Sequence, residues 1–141
     1  MPQACYRELR HYKYQLMEDY LIPTPIRPPQ DISLKFLSLS AAGDLTIRKS
    51  YAWDGASGPA IDTRNIMRGS LVHDALYQLM RLSKLDYQAH REAADDFFRQ
   101  ICLQDGMSSV RAWYVHQAVR LFGESRARPT SEPEVVVICV P

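Results

Sequence analysis

The stretch Ile-Pro-Thr-Pro-Ile-Arg-Pro-Pro-Gln at 22–30 constrains the chain most, because four of its residues are proline. Proline lacks the amide donor that a helix interior requires, and its ring clashes with the preceding turn, so no helix crosses this segment. It reads as an extended connector. Ahead of it, YKYQLMED (12–19) sets aromatic and apolar residues in partial alternation, which predicts a strand. After it, DISLKFLSLS (31–40) alternates more fully, with Ile32, Leu34 and Phe36, then Leu37 or Leu39, competing for the buried face. Ala-Ala-Gly-Asp (41–44) supplies a turn and LTIRKSYAW (45–53) a second strand, so 31–40 and 45–53 predict a β-hairpin.

Past Trp53 the apolar period changes from two to that of a helix. DGASGPAIDT (54–63) is a loop of small residues. The first helix is predicted from about Arg64 to Leu82, with Asp62 or Thr63 as N-cap and a stripe of Met67, Leu71, Val72, Ala75, Leu76 and Leu79. The second runs from about Asp86 to Gln104, with Ala93, Ala94, Phe97, Phe98 and Ile101 inward and Asp105-Gly106 as its stop. The third starts at Ser108 or Ser109 and ends at Gly123, carrying Ala112, Val115, Val119 and Phe122 at helical spacing. On that helix Trp113, Tyr114 and His116 read as core and rim residues. The polar stretch 124–134 reads as a loose linker, and VVVICV (135–140) as a β run that either returns to the sheet or offers an edge to a partner.

These elements make an α+β fold: a small antiparallel sheet from the N-terminal strands, with the C-terminal strand available to join it, packed with three helices. A length of 141 residues, 46% of them hydrophobic, fits one domain with a real core. The net charge of +1 carries no broad electrostatic footprint for nucleic acid. The N-terminal MPQACYRELRHYKYQL has no apolar core of a signal peptide, and no apolar run reaches the ~18 residues of a membrane span. Cys5, Cys102 and Cys139 are scattered and show no metal-ligand spacing, as expected of free thiols in a reducing compartment.

One feature breaks the apolar grammar. The first helix carries Ser-Leu-Val-His-Asp-Ala-Leu-Tyr at 70–77. His73 and Tyr77 are i and i+4, and Asp74 and Tyr77 are i and i+3, so the three cluster on one shoulder of the apolar stripe. There, burial and pairing shift pKa values. The second helix offers Asp95 and Asp96. A carboxylate bound to the far nitrogen of His73 fixes the tautomer and leaves the near nitrogen to take a proton from water. Asp74 is then available to a cation, and the small-residue loop WDGASGP (53–59) lets backbone carbonyls converge, as hard cations such as calcium require. The alternative is a structural network tying two helices together, with Asp54-Gly55 as a plain turn. No GxSxG elbow supports an acyl-transfer triad. His11, His90 and His116 show no second motif of the kind His-Asp phosphohydrolases use. Arg111, Arg120, Arg126 and Arg128 read as a solvated basic face.

The ordered series YAWDGASGP, VHDALY, REAADDFF and VRAWYVHQAVRLFG resembles the DUF1353 family of phage and prophage proteins over about residues 45–123. That family's motifs are a Trp-Asp-Gly-Ala-Ser loop, a His-Asp-x-x-Tyr helix, an Ala-Asp-x-x-Phe helix and a helix ending Arg-x-Phe-Gly. The resemblance implies a phage or prophage protein in the host cytoplasm or the virion. More distantly, the His-Asp helix is similar to that of phospholipases A2. By that likeness His73 would be the general base and Asp95 would orient it, with Tyr77 supporting the network. Asp74 would bind calcium together with the carbonyls of Trp53, Gly55 and Ser57, and the substrate would be a phospholipid or another ester. Without catalysis, the third helix and the 135–140 strand would meet a phage or host protein.

Overall fold

The computed structural model describes residues 4, 6–8, 14–55 and 63–129. They fall into two compact units, one ending at Asp54 and one beginning at Gly55. The architecture is α+β, with two small antiparallel sheets in the first unit and four helices in the second.

In the β unit, β1 (Tyr6–Glu8), β2 (Tyr14–Leu16) and β7 (Ala52–Trp53) form one sheet in that order. Tyr14 lies opposite Trp53, with ring centroids 5.5 Å apart. The other sheet has the order β3-β6-β5-β4, from β3 (Tyr20–Pro23), β4 (Ile32–Ser33), β5 (Leu37–Leu39) and β6 (Asp44–Ile47). The predicted hairpin is its centre: Leu37 pairs with Ile47 and Leu39 with Leu45, all four buried. Each such aliphatic contributes about 1.5–3 kcal/mol by leaving water. The turn closes through Gly43 N–H to Ser40 O at 2.9 Å, with Gly43 at φ +98. A Cβ there would lie 2.5 Å from the Thr24 carbonyl, so both backbone and neighbour demand glycine.

Three predictions for the β unit need correction. The proline stretch is extended, yet it begins as a strand: β3 pairs with β6, and burial alternates without a break from Tyr20 through Pro28. Proline is tolerated because β3 is a sheet edge, where one side of the strand owes no ladder bonds. The run 31–40 is two strands, since Leu34 N–H bonds Leu37 O at 2.8 Å and folds β4 back on β5. The run 45–53 is also divided: Ser50 at φ 83 turns the chain after β6, and β7 joins the other sheet.

In the helical unit, α1 (Arg64–Arg81), α2 (Tyr87–Gln104) and α3 (Ser109–Phe122) follow the predicted spans. Asp86 caps α2 by accepting from Gln88 N–H, and Ser108 caps α3 by accepting from Arg111 N–H. At α1 the Thr63 hydroxyl donates to Asn65 and accepts from Arg111 rather than capping its helix. The α1 stripe is buried in full, whereas Ala93 on α2 is only half-buried. On α3, Ala112 and Val115 are buried, but Phe122, Trp113 and Tyr114 are exposed, against expectation. Part of the presumed linker is a short helix, α4 (Glu124–Ala127), whose Arg126 carbonyl accepts from Arg81. The predicted strand at 135–140 lies outside the described residues. Among the described residues, no helix is long and apolar enough to cross a membrane.

Candidate functional site

One buried polar cluster interrupts the apolar core of the helical unit. α2 packs against both α1 and α3, and it runs antiparallel to α1, since Arg68 reaches Asp105 at one end and Tyr77 meets Arg91 at the other. This register brings Asp95 to the α1 face that carries His73 and Tyr77. His73 Nε2 donates to Asp95 Oδ1 at 2.7 Å, and the Tyr77 hydroxyl donates to the same oxygen at 2.6 Å. Nε2 holds the proton because the carboxylate can only accept, so in the neutral ring Nδ1 carries the free lone pair. The His73 ring lies tilted against those of Tyr77, at a centroid distance of 4.1 Å, and Phe98, at 5.0 Å. Asp95 is 0% exposed and His73 keeps 8% of its side chain in solvent.

Two arginines complete the cluster. Arg120 Nη1 of α3 donates to Asp95 Oδ2 at 2.8 Å. Arg91, one turn before Asp95 on α2, stands 3.9 Å from that oxygen and donates to the Tyr77 hydroxyl at 3.2 Å. Its other end donates to the carbonyls of Val119, which also accepts from Gly123 N–H, and Arg120, so it holds the last turn of α3. Gly123, just past that end, is required by the same crowding: a Cβ would lie 2.4 Å from Val119 O and 2.6 Å from the Tyr77 hydroxyl.

The electrostatics follow from this geometry. Burial pushes the Asp95 carboxyl up, but the hydrogen bond and charge of His73 and the donors on Tyr77 and Arg120 outweigh it, and the carboxyl sits below its ordinary value. Burial and then the Asp95 charge push the Tyr77 phenol above its ordinary value, so it stays a donor. Cys102 is buried and free, its thiol pushed up to about 12 chiefly by burial, which makes it inert.

The structure thus brings together three of the predicted residues: His73, Tyr77 and Asp95. Asp74 is half-buried at the next helix position and takes no part in the bonds to Asp95. Trp53 belongs to the β unit, where it is buried in β7, while Gly55 opens the helical unit at φ +79. Ser57 lies outside the described residues. Among the described residues, no group of three or more His, Cys, Asp or Glu assembles as a metal site. The expected basic face is dispersed: Arg120 serves Asp95, Arg111 holds Thr63 and Asn65, and Arg128 pairs with Glu124.

Sequence reasoning passed over Arg91 and Arg120 as members of the site. Arg91 had a signal, its i, i+4 spacing to Asp95. Arg120 had one in the Arg-x-Phe-Gly ending of α3, whose arginine and glycine both turn toward the cluster. No curated protein and no solved structure matches the chain. The model of one family, described as "Protein of unknown function (DUF1353)", matches residues 36–119, from β5 through most of α3 and including His73, Tyr77, Arg91 and Asp95, and the chain belongs to that family.

Proposed function

We propose that this protein is a phage- or prophage-encoded hydrolase in which His73 activates water for attack on an ester, a phospholipid being the first class to test. The observation that carries the reading is the bond from His73 Nε2 to the ionised Asp95, because it leaves Nδ1 as the basic nitrogen. In this reading Nδ1 takes a proton from water as its oxygen attacks the ester carbonyl. Asp95 steadies the imidazolium, and Tyr77 keeps Asp95 oriented. Asp74 would hold a calcium ion. One carboxylate is a small share of the six to eight oxygen ligands calcium takes, so most of that set falls to backbone and water. When bound, the ion supplies positive charge for a developing oxyanion.

A second reading has its own observation. Arg120 and Arg91 converge on Asp95, and Arg91 also holds the end of α3, so one carboxylate ties three helices together. These guanidiniums draw on the charge that would steady an imidazolium. In this reading the protein is a non-catalytic phage accessory or virion component.

Calorimetric calcium titration of the wild type and Asp74→Asn, followed by a phospholipid and ester turnover screen of the wild type and His73→Ala, separates the two. The hydrolase reading expects calcium binding that Asp74→Asn removes, and turnover that a folded His73→Ala loses. A wild type without calcium binding or turnover, together with a His73→Ala variant that only loses about 1–3 kcal/mol of stability, would overturn it and leave the structural reading.

A further inference from the structure

Helix α3 is apolar on two faces. Ala112, Val115 and Ala118 turn inward and are buried in the helical unit. On the outer face Val110 is 77% and Leu121 72% exposed, and Trp113 and Tyr114 are about half exposed. α3 packs on α2 on one side, and its other side stands in solvent.

The outer residues are not scattered. Val110, Tyr114, Gln117 and Leu121 follow steps of four, three and four, which is the seam of a two-helix packing, and Trp113 flanks it. The step pattern reads the same in both directions. Two antiparallel copies related by a two-fold axis would therefore set Val110 of each against Leu121 of the other, and Tyr114 against Gln117. The apolar ends cover each other, and the central phenol and carboxamide are hydrogen-bonding complements. No charge lies on the seam, so nothing in it calls for an oppositely charged partner. Aromatics bury about 150–250 Å2 each when fully covered. Two half-exposed aromatics and two nearly bare aliphatics thus present on the order of 400 Å2, a patch size that is often functional on a monomer. It is also about half of the ~800 Å2 that each partner contributes to a standard interface.

We propose that the outer face of α3 is the interface of a two-fold homodimer, with the two α3 helices packed antiparallel. The proposal is independent of any chemistry at His73. Sedimentation equilibrium of the full chain tests it across a range of concentrations. The wild type is expected at twice the chain mass. Val110→Lys and Leu121→Glu are each expected to weaken association at least about tenfold; both positions are exposed, and circular dichroism checks that the fold survives. The double variant is expected to regain the dimer, because the two-fold axis sets the two new charges of opposite sign against each other. Within one chain they stand about 16 Å apart along the helix and have no such contact. A wild type of single chain mass at all concentrations overturns the proposal. If that monomer binds anionic phospholipid vesicles through the same residues, the face belongs to a lipid surface. A dimer that survives both single variants places the interface elsewhere, and single variants that weaken it without rescue in the double overturn the antiparallel register.

Discussion

Two neighbouring aspartates on α2 each take a histidine, and the pairs differ in everything but distance. His73 Nε2 stands 2.7 Å from Asp95, and His116 Nε2 stands 2.8 Å from Asp96. Asp95 is fully buried, accepts from a histidine, a tyrosine and an arginine, and has a second arginine near it. Asp96 is 61% exposed. A hydrogen-bond length therefore says little about what a pair does. The number of donors around the carboxylate, and the water excluded from it, decide whether it can fix a tautomer and hold helices. The same comparison ranks the consequences of breaking each bond.

Asp95→Ala is expected to have the largest effect. It leaves Arg120 and His73 facing a dry gap, and removal of one partner of a buried ion pair costs about 3–5 kcal/mol. Urea unfolding should show a much lower midpoint, and any ester turnover should vanish. A loss below about 1 kcal/mol would show that water reaches the cluster and that the two pairs are equivalent after all. Gly123→Ala comes next, because its Cβ has no room beside Val119 O and the Tyr77 hydroxyl. A loss of about 1–3 kcal/mol is expected from the forced shift. Tyr77→Phe removes one donor from Asp95 and the acceptor of Arg91, for about 1–3 kcal/mol.

The pH dependence sharpens the contrast. Asp95 titrates below its ordinary 3.8 in the fold, so near and below that pH the unfolded chain takes up a proton that the folded chain refuses. Its contribution is present above 3.8 and is lost as pH falls through the depressed value. Tyr77 has the opposite sense. Its phenol is raised above 10.0, so the unfolded chain releases a proton that the folded chain keeps, and stability falls as pH rises past 10. Stability curves of the wild type and Tyr77→Phe should converge in alkali, and those of the wild type and Asp95→Ala in acid. Parallel curves would deny that the cluster is the source.

The sequence spacing foretold half of this cluster. His73 and Tyr77 are one turn apart, and that alone sets them on a common face. The choice between Asp95 and Asp96 was also legible: Ala94, Phe97, Phe98 and Ile101 define the buried arc, Asp95 sits at its margin and Asp96 nearly opposite. Spacing did not mark Arg120 as a site residue, because its contact depends on how α3 packs on α2; only the Arg-x-Phe-Gly ending of α3 pointed to it. The same limit hid the outward turn of Trp113, Tyr114 and Phe122: a helix with apolar residues on all sides does not declare which side is packed. In the β unit, alternation did not settle the buried face of 31–40: Leu37 and Leu39 are buried, while Ile32, Leu34 and Phe36 are half-buried. The fold-back at Leu34–Leu37 was invisible, since that run holds neither glycine nor proline to mark a turn.

The smallest expected effect tests the other side of the comparison. Asp96→Asn removes a charge that solvent already screens, and an exposed pair of this kind contributes about 0–1 kcal/mol. The asparagine carbonyl can still accept from His116 Nε2, so the bond itself survives in neutral form. Urea unfolding of Asp96→Asn in low and high salt should give nearly superimposable midpoints, with any small loss confined to low salt. A loss approaching that of Asp95→Ala would mean that the contact to His116, whose Nδ1 is buried without a hydrogen-bond partner, holds α3 against α2 as firmly as Arg120 does. The weight placed on burial in separating the two pairs would then shift to the helix contact they share.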